Sequence, residues 1–140
     1  MKKILLIEDD DVKANDIISF IETEFGYNIE RKNSITAGLR VIQNNYEYIL
    51  LDMSLPRFSE NSLRNFEPFG GVEVIKELAR KQIPSNVIVI TQYAIFGEGA
   101  LKCTLEDIKK QCQEYKINFK DVIKYSRDDI AWKTEIKKYL

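Results

Sequence analysis

Histidine is absent from the 140 residues, cysteine occurs twice, proline three times and tryptophan once. Without histidine, metal or redox roles for Cys103 and Cys112 lose their usual companion, and both read as reduced thiols with one of them packed. If they share a helix, nine positions turn the second by about 900° and place it on the opposite face, which argues against a disulfide. Charge of one sign is also missing: 21 basic and 22 acidic residues leave a net charge of -1. That balance gives no electrostatic reason to expect nucleic-acid or anionic-membrane binding. No apolar run approaches the about 20 residues of a membrane span, and Ile4 to Ile7 is too brief for a signal peptide. The expectation is one cytoplasmic domain with no output segment, since no linker, repeat or low-complexity stretch interrupts the chain.

What is present alternates. Lys3 to Ile7 reads as a strand, and Ala14, Ile17, Ile18, Ile21 and Phe25 follow at helical spacing before Gly26 stops the helix. Tyr27 to Lys32 reads as a second strand, and Ser34 caps a helix bearing Ala37, Val41 and Ile42 that ends near Asn44 and Asn45. Tyr48 to Leu51 is the third strand. Val72, Ile75, Leu78 and Ala79 form a helical stripe, and Val87 to Ile90 is the continuous apolar run of a strand covered on both faces. Leu105, Ile108, Cys112 and Tyr115 make a seam that Leu101 extends upstream; it suits the sheet better than a homodimer contact, and Thr104 with Asp107 has capping-box spacing. Phe119 to Lys124 is the fifth strand. Ser126 and Asp129 repeat the capping spacing before Ile130, Ile136 and Tyr139, which supply a core face. The pattern predicts an α/β fold, a doubly wound parallel sheet of five strands with helices on both faces.

Polar residues stand where these strands end. Glu8 and Asp9 follow the first, Asp52 the third, Thr91 the fourth and Lys124 the fifth. In an open parallel sheet the crevice lies outside the carboxyl ends of the strands, so these groups converge. Asp10 and Asp11 read instead as acids suited to a helix start. The ordered set Ile7-Glu8-Asp9, Asp52-Met53-Ser54-Leu55-Pro56, Thr91 and Lys124 resembles the receiver domain of bacterial two-component response regulators, a flavodoxin-like fold, over essentially the whole chain.

A carboxylate can attack phosphorus to give an acyl phosphate, and Asp52 is the expected phosphoacceptor. Crowded acids resist ionisation together unless a hard divalent cation reverses the preference, which points to Mg²⁺ on Asp9 and Asp52, with Glu8 bound directly or through water. The resemblance adds the backbone carbonyl of Ser54 as a ligand. Thr91 and Lys124 would hold phosphate oxygens. With no histidine the chain cannot carry its own phosphodonor, so the resemblance implies a sensor histidine kinase or histidine phosphotransfer protein, and a downstream protein target. Catalysis would extend at most to its own phosphorylation and dephosphorylation.

Four departures from the family set expectations of their own. The usual aromatic switch position, three before the lysine, is Asp121; Phe119 lies on the same side of an ideal strand. Tyr125 replaces the proline that usually follows the lysine, predicting a trans bond there. Gln92 takes the place of a small residue, and Arg57 to Phe69 form an insertion whose Phe58, Leu63, Phe66 and Phe69 either cover the site, grip a partner or pack onto the surface. Two other readings are an adaptor of the same fold that leaves phosphorylation unused, and a haloacid-dehalogenase-like phosphatase, which wants an aspartate where Ser54 stands.

Overall fold

The computed structural model describes residues 2–59, 66–92, 95–96 and 103–140. In chain order the elements begin β1 (Lys3–Ile7), α1 (Asp11–Phe25), β2 (Asn28–Lys32), α2 (Ile35–Leu39) and β3 (Tyr48–Leu51). Next come β4 (Leu55–Pro56), β5 (Phe66–Glu67), α3 (Gly70–Arg80) and β6 (Asn86–Thr91). The chain closes with β7 (Ile95–Phe96), β8 (Cys103–Thr104), α4 (Leu105–Gln113), β9 (Asn118–Lys124) and α5 (Ala131–Lys137). Leu63 and Leu101 lie outside the described residues.

The main sheet has the order β2-β1-β3-β6-β9 and every pairing in it is parallel. This is the expected flavodoxin-like arrangement, and its strand order reverses between β1 and β3. Alternation along each strand divides the core in two. Leu5, Ile7, Ile49, Leu51, Val87 and Val89 meet α2, α3 and α4 on one face. Ile4, Leu6, Leu50, Ile88, Ile90 and Ile123 meet α1 and α5 on the other. Because both faces are covered, the strands are continuously apolar, and polar side chains are forced to their ends.

Local chemistry sets most boundaries. Asp10 caps α1 by accepting from the Val12 and Lys13 amides, and Gly26 ends it at φ 66°, its N–H bonded to the Glu22 carbonyl. Ser34 caps α2 as expected, but this helix stops at Leu39 rather than near Asn44; turns follow, and Asn45 takes φ 59°. Thr104 and Asp107 form the expected capping box of α4. That cap puts Cys103 in β8, outside the helix, so the opposite-face argument does not apply to it. No disulfide joins them, and burial pushes the Cys112 thiol up to about 12.

The last strand and helix differ more from expectation. The register of β6 with β9 slips at Val87/Ile88, so that Val87 faces Phe119 and Ile88 faces Asp121. Lys120 is the extra residue, and a bulge of this kind cancels one alternation. Phe119 therefore packs with the α3 and α4 core and does not share a side with Asp121. Asp121 instead accepts a hydrogen bond from Tyr139 Oη at 2.7 Å and pairs with Lys109 Nζ at 3.3 Å, tying β9 to α4 and to the turn after α5. No peptide bond among the described residues is cis, in line with tyrosine at position 125. Ser126 accepts from the Asp128 amide and Asp129 from the Ala131 amide, so the capping box between Ser126 and Asp129 does not form. Ile130 is 68% exposed rather than core, and Trp132 is buried in its stead.

Two short antiparallel pairs stand outside the main sheet, β4 with β5 and β7 with β8. The first closes the described ends of the insertion. Arg57 bridges Glu67 of β5 and both carboxylate oxygens of Glu73 on α3, and its carbonyl accepts from the Thr36 amide and hydroxyl. Phe69 packs onto the core, whereas Phe58 and Phe66 remain exposed. Because the Arg57 side chain is 36% exposed, these ion pairs are screened. Arg57→Ala should cost no more than about 1 kcal/mol in a urea melt; a loss several times larger would show that the bridge holds the domain together.

Candidate functional site

The site is assembled at the carboxyl edge of the sheet. Three apolar strands in register bring their terminal residues level, because Ile7 lies beside Leu51 and Leu51 beside Val89. The next residues are therefore neighbours. One oxygen each from Glu8, Asp9 and Asp52 falls within 4.8 Å of the other two. Asp52 sits where its amide bonds the Ile7 carbonyl at 3.2 Å, and its Oδ1 accepts from the Met53 amide at 2.6 Å. Behind it, the Gly71 amide donates to the Met53 carbonyl at 2.9 Å, so the start of α3 braces the loop carrying Asp52.

Lys13, a residue the sequence reading passed over, enters this cluster from α1. Its side chain is buried, with Nζ 2.7 Å from the Ile90 carbonyl, 3.0 Å from Asp52 Oδ2 and 2.6 Å from Glu8 Oε1. The sequence holds only a faint signal: Lys13 precedes Ala14 and stands four before Ile17, beside the apolar stripe of α1, where a buried charge needs a partner that only the fold reveals. Alternation of apolar and polar residues points to such a position only when the lysine is treated as a member of the stripe.

The remaining expected residues are distributed unequally. Thr91 is fully buried at the end of β6, and its carbonyl accepts from the Tyr125 amide at 2.8 Å. Ser54 is buried and donates through Oγ to the Pro68 carbonyl. Lys124 is level with Thr91 in register but its side chain is exposed, and no ion pair joins it to Asp52 among the described residues. Gln92 is half-buried. The lysine actually on Asp52 is Lys13.

Crowding of acids away from water perturbs their protonation. Burial pushes the Glu8 carboxyl up to about 8, with Lys13 opposing the rise and Asp52 adding to it. Asp9 also moves up, chiefly through burial and then through the Asp52 charge. Burial works against the Lys13 ammonium, yet Asp52 and then Glu8 outweigh it and hold Lys13 above the ordinary lysine value. Glu8 Oε1 is buried, with the Lys13 ammonium 2.6 Å away as its partner. Three hard carboxylates whose oxygens converge within 4.8 Å fit a divalent cation such as Mg²⁺.

Comparison with known proteins points the same way. No protein-family model matches the chain. An uncharacterized protein, y4jR of Sinorhizobium fredii, is 31% identical over 142 residues, covering 96% of this chain and 94% of its own. The Detocs response regulatory protein DtcB of Enterobacter cloacae is 26% identical over 147 residues, covering 97% and 96%. Among solved structures, the response regulator TrrA of Thermotoga maritima, in complex with Mg²⁺-BeF, superposes with a TM-score of 0.64 at 20% identity over the full length of both chains. The receiver domain of a sensor histidine kinase from Pseudomonas aeruginosa, with magnesium coordinated in its active-site cleft, gives 0.62 at 19% identity, covering 98% of this chain and 92% of its own. With its five parallel strands, their order, and acids at the ends of β1 and β3, the chain belongs to the receiver-domain family of two-component response regulators.

Proposed function

We propose that Asp52 accepts a phosphoryl group from a phosphohistidine and that the modified domain signals by changing a protein-binding face. The observation that carries this reading is the convergence of Glu8, Asp9 and Asp52 in the crevice at the switch in strand order. The 140 residues contain no histidine, so the donor imidazole comes from outside them, on a sensor kinase or phosphotransfer protein. The naming of the Enterobacter relative as a response regulatory protein supports a role of this kind.

In the step, one Asp52 carboxylate oxygen bonds to phosphorus while the P–N bond to the donor breaks. The imidazole leaves with the electron pair and takes a proton from water, and an acyl phosphate remains on Asp52. Asp9 and Asp52 would hold Mg²⁺, with Glu8 directly or through water and the Ser54 carbonyl as a further oxygen. When bound, the ion supplies positive charge against the acids and the phosphoryl oxygens, which is what such transfers chiefly require. Magnesium in the two solved receivers supports that choice. Lys13 orients Oδ2 of Asp52 and the Met53 amide orients Oδ1. Thr91, at the end of β6, donates its hydroxyl to one phosphoryl oxygen. Lys124 reaches in from the surface to pair with another.

Incubation with MgCl₂ and phosphoramidate or acetyl phosphate, followed by intact mass measurement, tests this. The wild type should gain a phosphate adduct that is lost in Asp52→Asn and after chelation of the metal. An adduct that persists in Asp52→Asn would displace the site, and a wild type that never gains one would overturn the function.

A further inference from the structure

The ammonium of Lys13 lies between Glu8 and Asp52, two of the three acids whose oxygens face one another across less than 4.8 Å. It is anchored from below by the Ile90 carbonyl at 2.7 Å, and its side chain is 1% exposed. The Tyr125 ring covers it with a centroid 5.8 Å from Nζ. Tyr125 is in turn fixed by its hydroxyl to Asp16 and by contact with Trp132. This is a cation built into the fold and packed in place, in contrast to Lys124, which stands exposed at the end of β9.

From this geometry we infer that Lys13 is a resident counter-ion of the phosphoacceptor site, competing with the divalent metal for Glu8 and Asp52 and so setting how much Mg²⁺ the domain needs. The inference deepens the phosphoacceptor reading and rests on its metal site. Two consequences follow from charge alone. With Lys13 in place the acids are partly neutralised, so the fold tolerates a metal-free site. A metal that enters must share carboxylate oxygens with an ammonium of like sign a few ångströms away, which weakens its binding. Lys13 is a positioning residue here, acting through Asp52 and the metal.

Lys13→Met keeps the length and apolar stem of the side chain and removes the charge, and Lys13→Gln keeps a donor as well. Titration of each full-length variant with MgCl₂ by calorimetry, with thermal melts at each concentration, separates the outcomes. Both variants should bind Mg²⁺ more tightly than the wild type, on the order of tenfold. Their melting temperatures without metal should fall below that of the wild type, and Mg²⁺ should raise them further than it raises the wild type. Lys116→Met, an exposed lysine at the opposite edge of the sheet, controls for net charge and should leave the affinity unchanged. Equal Mg²⁺ affinity in wild type, Lys13→Met and Lys13→Gln would overturn the inference while leaving the phosphoacceptor reading intact. Absence of Mg²⁺ binding in all three would overturn both. If neither variant folds at any Mg²⁺ concentration, the ammonium is a structural keystone and not a competitor, and the inference fails.

Discussion

Gly71→Ala will slow phosphorylation of Asp52 sharply, and Gly70→Ala, one residue away, will not. A methyl at Gly71 would lie 2.5 Å from the carbonyl oxygen of Asp52, 2.9 Å from Leu51 Cδ1 and 3.0 Å from Met53 Cα. Two of those three obstacles are backbone of the loop that carries the acceptor, so the loop or α3 must move. The same methyl at Gly70 would meet side chains only, Ile35 Cδ1 at 2.5 Å, Ile35 Cγ1 at 3.1 Å and Leu55 Cβ at 3.3 Å, and no backbone atom of the acceptor loop. Both glycines open α3, so both substitutions gain similar helix propensity, and the difference between them isolates the contact with the loop. Overpacking against fixed atoms costs about 1–3 kcal/mol. Misplacement of a reacting group by an ångström can cost on the order of a hundredfold in rate. The initial rate of adduct formation and the urea midpoint of both variants decide the matter. Equal rates and midpoints would mean that the acceptor loop is softer than its bonds to Ile7 and Gly71 imply.

Residues differed in how openly the sequence disclosed their place. The strands announce themselves because burial on both faces demands unbroken apolar runs, and the acids after Ile7 and Leu51 stand out because nothing polar precedes them. Glu8, Asp9 and Asp52 were therefore legible together. Lys13 was not, since a lysine one turn into an amphipathic helix ordinarily belongs to solvent, and only the position of the acids in space explains its burial. The bulge at Lys120 is equally silent, because an extra residue in a strand changes no composition, yet it moves Phe119 to the face away from Asp121. Arg57 carried a charge that fitted a surface loop, and its two acidic partners arrive from Glu67 and Glu73, which only the pairing of β4 with β5 brings within reach.

Trp132→Ala will be the costliest of these substitutions to stability, although the sequence offered Ile130, with Ile136 and Tyr139, for the core face of that helix. Capping spacing from Ser126 placed the helix start too early and drew Ile130 into the face, whereas Ile136 and Tyr139 do pack on the core. In the structure α5 begins at Ala131, Trp132 is 1% exposed, and its ring meets Phe20 and Tyr125 with both centroid separations at 5.4 Å. Deleting a buried tryptophan costs about 3–5 kcal/mol through lost burial and the cavity left behind. That is a large share of the roughly 5–15 kcal/mol that holds a domain together. Ile130→Ala, on the exposed side of the same turn, should stay within about 0.5 kcal/mol of the wild type. Far-UV circular dichroism in urea is the measurement to use, because Trp132 is the chain's single tryptophan and its removal abolishes the tryptophan fluorescence. Equal midpoints for Trp132→Ala and Ile130→Ala would show that Ile130 contributes to the core as much as Trp132. The expected loss also reaches the site: the cavity opens beneath Tyr125, which follows Lys124 and covers the Lys13 ammonium, so the Trp132 variant should show a weakened hold on the end of β9 as well as a lower midpoint.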